Sequence, residues 1–287
     1  MGRPVEGAQC TFVGDRESDI YETYTRCVGN GWGFIVRAKE NRALVGTKVH
    51  LFDAVASAPL SGIRTIELRA QSARPGREAV AARVATLEIR ATTVTPRPPN
   101  RPGTKLEPVT PHVVEGREIN APVGVKPLHW ILNTTWPCNT LEEITRVMQT
   151  YASRWLLEEY HKALKTGAGV EDIQLSTYAR VTALFAVLAV VAVRLVNMKL
   201  LATTAPEEPV PHGAIAPEVL EVLAVKSRRP KRDWTWRSLI IAIARLGGFL
   251  GRKSDGMPGW ITIWRGWRRL MDMVHGYLLR EEDVGKE

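Results

Sequence analysis

The chain has 287 residues, and its content of 45% hydrophobic and 24% charged residues is ordinary for a globular protein that buries a core. Its formal net charge of +9 argues against a basic partner and favours a polyanion, either nucleic acid or an acidic membrane surface, although a soluble basic enzyme fits the charge equally well. Three widely separated cysteines and an N-terminus without an apolar signal-peptide core predict a protein of the reducing cytoplasm.

The first segment predicts a strand, a helix and a second strand. An apolar run ends at Gly14, residues 18–27 have helical character, and the strand "FIVRA" follows a glycine-rich turn. Asp15 is therefore expected at the C-terminal end of a strand, where α/β sheets place their chemistry. The alternative role for an aspartate in this position is to cap the helix that follows.

Residues 43–126 predict an inserted β module. The stretches "GIRTIELRAQ", "VATLEIRATTVT" and "HVVEGREI" alternate apolar and polar residues, while "RPPNRPG" excludes a helix. The next stretch, "LHWILNTT" at 128–135, predicts a further strand.

The residues that follow predict one helix, with Thr140 as N-cap, Glu143 in the capping-box position and Gly167 available as a stop. At about 100° per residue, five of its side chains fall within a sector of roughly 80°. These are Tyr151, Arg154, Glu158, Lys162 and Lys165. Without a ligand, such a face is a set of ion pairs worth about a few tenths of a kcal/mol each. Alternatively, its carboxylate shares hard divalent ions with Asp15 while the cations neutralise a phosphate.

A long helix is predicted over 175–202. Its apolar run at 183–193 is shorter than the roughly 20 residues that span a membrane, and arginines flank it, so we expect a buried core helix and no membrane partner. Prolines between 206 and 217 and the basic run "KSRRPKR" predict a linker, and two helices around a glycine-rich turn follow it.

The spacing of four residues resembles a known signature. Tyr151, Arg154, Glu158 and Lys165 are similar to the Y-R-E-K pattern of the bacterial cut-and-paste DDE transposases of the insertion-sequence-four type, which include the transposon-five transposase. The stretches "EEYHKALKTGAG", "VGDRESDI", "AIARLGGF" and "PGWITIWRGW" also resemble that family. The resemblance therefore covers nearly the whole chain.

The resemblance implies an α/β fold with an RNase H-like (retroviral integrase-like) core. The core would occupy 1–203 and lack its first strands, with the β insert at about 43–126, a Pro-rich and basic linker at 204–232, and a C-terminal α-helical dimerisation domain at 233–287. By the same resemblance, Asp15 is the second and Glu158 the third of three acids that bind two Mg²⁺ or Mn²⁺ ions. The first acid is expected upstream of Asp15, and residues 1–14 contain no aspartate.

The resemblance also implies DNA-binding roles. Tyr151, Arg154 and Lys165 would clamp a phosphate of the transposon end, and Trp130 would stack on a base flipped out beside it. Without the family, Trp130 is expected to be a core aromatic of its strand. Arg37, in "FIVRAKENR", matches a family arginine near the active site, and Lys162 lies on the same face as the clamp residues. The alternative for both is a solvated surface position.

The implied function is DNA transposition, in which metal-dependent phosphodiester hydrolysis at transposon ends precedes strand transfer into target DNA. The partner is double-stranded DNA, the active unit is a homodimer formed through the C-terminal helices, and the place of action is the bacterial cytoplasm, at the nucleoid. Because the first acid is not found, two hypotheses stay open. One is a transposase whose missing part is encoded elsewhere, and the other is an inactive DNA-binding relic that inhibits a full-length transposase.

Overall fold

The computed structural model describes residues 2–68, 79–103, 105–228, 234–252 and 254–284. The chain forms two compact units, Met1–Arg154 and Trp155–Glu287. Each unit has buried hydrophobic clusters of its own.

The first unit is built on a six-stranded sheet with the strand order β1-β2-β6-β5-β4-β3. β1 and β2 are parallel, and the other neighbouring pairs are antiparallel. Helix α1 (Tyr21–Gly29) provides the crossover that a parallel pair requires. The strands are β1 Thr11–Gly14, β2 Gly33–Arg37, β3 Leu60–Leu68, β4 Arg83–Thr93, β5 His112–Glu118 and β6 His129–Thr134. The strand, helix and strand predicted at the start of the chain, and the strand predicted at 128–135, are confirmed.

Helices cover both faces of the sheet at β2, because successive side chains of a strand point to opposite faces. Ile35 lies in a core shared with α3 (Leu141–Ala152). Its neighbours Phe34 and Val36 lie in a different core, which they share with α1. Each such side chain contributes roughly 1.5–3 kcal/mol by its burial. β2, the strand next to β1, is thus held from both sides.

Residues 43–126 contain β3, β4 and β5, which confirms the β structure predicted there, and also a helix that the sequence did not predict, α2 (Leu51–Ala56). Leu51 and Val55 of this helix are fully buried and pack with Val113 of β5. Residues 69–78 lie outside the described residues, so the strand predicted from "GIRTIELRAQ" is confirmed only as far as Leu68.

Helix α3 begins with the predicted capping box. The Thr140 hydroxyl accepts a hydrogen bond from Glu143 N, and the Glu143 carboxylate accepts one from Thr140 N, each at 3.2 Å. The prediction of one continuous helix as far as Gly167 is wrong, because α3 ends at Ala152. At this point the Ser153 hydroxyl donates to the Thr150 carbonyl oxygen at 2.7 Å and competes with the helical hydrogen bonds.

The second unit is helical and starts with α4 (Trp155–Lys162). α4 continues as a π-helical segment, Ala163–Ala168, which ends at Gly169 in the left-handed conformation with φ 64°. Gly169, and not Gly167, is therefore the stop, since this conformation favours glycine. The remaining helices are α5 (Tyr178–Thr204), α6 (Pro217–Ser227), α7 (Trp236–Leu246) and α8 (Trp260–Val284). α6 lies in the segment predicted as a linker, of which 229–232 fall outside the described residues.

Helix α5 is buried only in its second half, where Leu195 and Met198 belong to the core of the unit. Phe185, Val187 and Val190 are about half exposed. The prediction that 183–193 forms a buried core helix is therefore wrong. Although the helix is apolar on all sides, only the side chains that face other helices of the unit are buried. Among the described residues, α5 is also the one helix long and apolar enough to cross a membrane, by length and composition alone. Exposed apolar surface of this extent is typical of a contact surface.

Helices α7 and α8 touch through their backbones at two glycines. A Cβ atom on Gly266 of α8 would overlap the Ile243 carbonyl oxygen, and one on Gly247, which follows α7, would overlap the Thr262 carbonyl oxygen. Gly247 has an ordinary φ of −88°, so the requirement is for space and not for a special conformation. This contact explains Gly247 of "AIARLGGF" and Gly266 of "PGWITIWRGW" as packing residues.

Candidate functional site

Asp15 directly follows β1, as predicted. Its Oδ1 accepts hydrogen bonds from Glu17 N at 3.1 Å and Ser18 Oγ at 3.4 Å, so it caps a 3₁₀ turn at Arg16–Ser18. Its side chain is 46% exposed, and its Oδ2 lies 3.7 Å from Arg154 Nη1. The capping role that the sequence left open is therefore present, and the second oxygen faces a cation near the surface.

A buried carboxylate, Asp19, fixes the loop that follows Asp15. Its side chain has no exposed surface. It accepts hydrogen bonds from the Tyr24 hydroxyl (2.6 Å), the backbone N–H groups of Lys39 and Glu40, and Arg42 Nη2 (2.7 Å). Burial alone would raise the pKa of Asp19, but these hydrogen bonds hold that pKa below its ordinary value. The sequence did not predict this role, because the partners on the β2 side are about 20 residues away.

Arg37 ends β2 and lines a cavity of about 320 Å³ together with Arg16, Lys39 and His129. Its Nη2 donates to the His129 carbonyl oxygen at 2.8 Å, which orients the guanidinium. His129 Nε2 lies 2.7 Å from Glu115 Oε1, and this contact holds the pKa of Glu115 below its ordinary value despite burial. Three cationic side chains at one cavity favour an anionic ligand.

Trp130 and Tyr151 meet edge to face, with ring centroids 5.3 Å apart at an interplanar angle of 76°. Tyr151 is only 6% exposed and belongs to the core between α3 and the sheet, while Trp130 is half-buried against the same core. The prediction that Tyr151 shares an outward polar face is wrong, because its ring fills the inner side of α3. Trp130 occupies the core position that was the alternative prediction for it, with part of the indole still exposed.

Glu158, Lys162 and Lys165 lie along one segment of the second unit. Glu158 is exposed in the first turn of α4. Lys162 Nζ lies 2.7 Å from Glu159 Oε1, and Lys165 Nζ lies 2.6 Å from Glu171 Oε1. Lys165 is in the π-helical segment, whose wider turn shifts it from its position on a regular helix, and such segments are frequent at functional sites.

Two family models match the chain. Residues 3–194 match the transposase DDE domain, and residues 190–281 match the transposase Tn5 dimerisation domain. The first match covers more than half of the 287 residues. The chain belongs to the Tn5-like DDE transposases. Its function is DNA transposition by the cut-and-paste route of that family, and the resemblance seen in the signature spacing is confirmed.

The matched regions of this transposase do not coincide with its compact units. The DDE match extends to residue 194, whereas the first unit ends at Arg154. The segment that carries Glu158, Lys162 and Lys165 therefore belongs to the DDE match but packs with the helices of the dimerisation match. Ala163 and Leu164 of this segment are buried in the core formed by α5, α7 and α8.

Among the residues that the structure describes, no three His, Cys, Asp or Glu side chains are grouped closely enough to hold a metal ion. The carboxylates of Asp15 and Glu158 are of the kind that Mg²⁺ and Mn²⁺ prefer, since both ions take oxygen ligands. Both side chains are also accessible to solvent. Each of the two carboxylates therefore suits these ions in its chemistry.

Proposed function

We propose that Asp15 and Glu158 are catalytic carboxylates of this transposase and help to bind two Mg²⁺ or Mn²⁺ ions. When bound, such ions activate water and neutralise the charge that develops on the phosphate. The observation that carries the proposal is the position of Asp15, at the C-terminal end of a parallel strand inside the region that matches the DDE domain. The β1–β2 pair, with helices on both faces, also supports an RNase H-like core.

The surrounding cations would bind the DNA backbone. Arg154 lies 3.7 Å from Asp15 and orients its Oδ2, and its guanidinium group is of the kind that binds phosphate oxygens. Lys162 and Lys165 follow Glu158 at intervals of four and seven residues and neutralise charge on the same segment. Arg37 contributes to the cationic cavity beside the loop of Asp15.

The pair formed by Trp130 and Tyr151 would hold the base next to this phosphate. Trp130 keeps part of its indole exposed, and stacking of an extruded base on such a ring contributes about 1–3 kcal/mol. Tyr151 supports Trp130 from the core side through the edge-to-face contact, and its contribution to the clamp is therefore indirect.

The proposed partners are double-stranded DNA, as transposon ends and as target, and a second copy of this chain bound through the C-terminal helices at 233–287. The dimerisation match over 190–281 supports the second partner, and the net charge of +9 supports the first. The place of action would be the cytoplasm, at the nucleoid.

Iron-mediated cleavage of the polypeptide tests the metal site independently of DNA cutting. Fe²⁺ also binds to carboxylate sites, and with ascorbate and peroxide it cleaves the chain next to the place where it is bound. We expect cleavage near residues 15 and 158 that excess Mg²⁺ suppresses. Asp15→Asn and Glu158→Gln should each reduce the cleavage by more than about tenfold.

The matched control is Glu208→Gln, which neutralises an exposed glutamate elsewhere in the second unit and should leave the pattern unchanged. Cleavage at other positions, or cleavage near 15 and 158 that persists in both site variants, would show that these carboxylates do not hold the ions.

The salt dependence of DNA binding tests the backbone contacts. Replacing Arg154 or Lys165 by Ala should weaken binding to a transposon-end duplex and lower the slope of log affinity against log salt by about one phosphate contact each. Lys48→Ala removes an equal charge from an exposed position and serves as the control, for which we expect an unchanged slope. If both variants bind with the affinity and slope of the wild type, the clamp is rejected.

A further inference from the structure

Glu159 is the chain neighbour of Glu158 but has different surroundings. Its side chain is 21% exposed, and its Oε2 accepts a hydrogen bond from Trp260 Nε1 at 3.0 Å. The same oxygen lies 3.6 Å from Lys199 Nζ, while Oε1 lies 2.7 Å from Lys162 Nζ. One carboxylate therefore joins α4 to α5 and to the first residue of α8.

Two partners of Glu159, Lys199 and Trp260, also contact each other at a largely buried position. Lys199 Nζ lies 4.3 Å from the centre of the Trp260 ring, a cation–π contact, and burial lowers the pKa of Lys199. Burial would raise the pKa of Glu159, but the hydrogen bonds from Lys162 and Trp260 hold it below its ordinary value. A partly desolvated pair of this kind is favourable only in a well-defined geometry.

These polar contacts lie beside an apolar interface between the segment and α8, and unlike apolar packing they require a defined geometry. On the next turns of the segment, Ala163 and Leu164 are buried in one core with Trp264, and a Cβ on Gly167 would lie 3.5 Å from the Trp264 ring. Apolar packing is non-directional, so it allows small sliding movements of one helix along another. The hydrogen bond to the Trp260 indole and the ion pair to Lys199 connect the segment to two other helices and fix both its rotation and its register. The ion pair to Lys162 lies within the segment and orients the Glu159 side chain.

Lys199 and Trp260 both lie in the region that matches the dimerisation domain, whereas Glu159 lies in the region that matches the DDE domain. We propose that Glu159 is a positioning residue that fastens the segment carrying Glu158, Lys162 and Lys165 to the dimerisation helices α5 and α8. The inference rests on the proposed function in so far as this segment acts on DNA. It gives the transposase a direct link between its dimerisation helices and its catalytic segment.

Hydrogen–deuterium exchange tests the link without any DNA. In Glu159→Ala, exchange over residues 156–168 should be at least about tenfold faster than in the wild type, because this segment then opens without global unfolding. Exchange over α7, which belongs to the same core, should change by less than about twofold. Glu208→Ala, the control at an exposed glutamate, should change neither segment.

Glu159→Gln keeps the side-chain volume and an acceptor for Trp260 but removes the attraction to the lysines, and we expect an intermediate acceleration. This variant also keeps the test decisive if Glu159→Ala does not fold. Unchanged exchange over 156–168 overturns the proposal. Equal acceleration over 156–168 and α7 also overturns it, because Glu159 would then contribute only to the general stability of the unit.

DNA affinity separates the positioning role from the proposed function. Glu159→Ala removes one negative charge and so raises the net charge from +9 to +10. This change alone would tighten binding to a duplex. We expect the opposite, a binding at least about threefold weaker, because the lysines of the segment lose their arrangement. If Glu159→Ala exchanges faster but binds DNA as tightly as Glu208→Ala does, the link to the dimerisation helices is supported and the action of the segment on DNA is rejected.

Discussion

Gly266→Ala is expected to lower the free energy of unfolding of the second unit by about 3 kcal/mol, the upper end of the usual cost of overpacking, since the contact is between rigid backbones. The added methyl group would overlap the Ile243 carbonyl oxygen and lie 3.1 Å from Gly247 N. These are backbone atoms of α7 and its end, so no side-chain rotation can relieve the overlap. The helices must separate, and the core between them must open.

Urea denaturation followed by circular dichroism would measure this loss. Gly276→Ala is the matched control, because Gly276 lies in the same helix and a Cβ there would meet nothing within 4 Å. This control should gain roughly 0.5–1 kcal/mol, since alanine favours a helix over glycine. A Gly266→Ala protein as stable as the wild type would mean that α7 and α8 do not touch through their backbones.

Asp19→Asn is expected to cost about 3–5 kcal/mol in the first unit, as is usual when one partner of a buried charged pair is removed. Asp19 accepts hydrogen bonds from four donors, and the amide of asparagine would place N–H groups opposite some of them. Arg42 would lose its carboxylate partner and keep only its hydrogen bond to the backbone carbonyl oxygen of residue 19. Because Asp19 ties the loop after β1 to the loop after β2, the loop of Asp15 should also become more mobile.

The pH dependence of this loss of stability shows whether it comes from the charge of the Asp19 carboxylate or from changed packing. The pKa of Asp19 is lower in the folded chain than its ordinary value, so its contribution is fully present above the unfolded pKa of about 3.9 and declines as the pH falls towards the folded pKa. The difference between wild type and Asp19→Asn should therefore be constant at neutral pH and shrink below about pH 4.

The control for Asp19 is Asp53→Asn at an exposed position of α2, where we expect a change below about 1 kcal/mol. If Asp19→Asn is as stable as this control, the hydrogen bonds to Asp19 do not hold the loop. Stability can be followed by urea denaturation at several pH values.

Much of the candidate site was predictable because its signals are local in the sequence. The apolar run before Asp15 and the following helical stretch were enough to place this residue at the end of a strand. Thr140 and Glu143 lie three residues apart, and a capping box needs nothing beyond that spacing. The spacing of Tyr151, Arg154, Glu158 and Lys165 indicated the family, which the two family matches confirm.

The wrong predictions concern places where residues that are distant in the sequence decide the structure. The outward face assigned to Tyr151 assumed an unbroken helix, but the ring is buried against Trp130, which is 21 residues earlier in the chain. The buried helix expected at 183–193 assumed that apolar residues find neighbours, and in the structure only the later part of α5 does so. Periodicity describes which residues share a face, and it does not say what lies opposite that face.

The sequence by itself determined the order of strands and helices around Asp15, the start of α3, and membership in the transposase family, because each depends on residues within a few turns or on fixed spacing. Only the tertiary structure decided that Asp19 is a buried anchor, that Gly247 and Gly266 let two helices touch, and that Glu159 differs in role from Glu158. Burial, close approach and hydrogen bonding between remote segments depend on three-dimensional neighbours, and a linear pattern does not contain them.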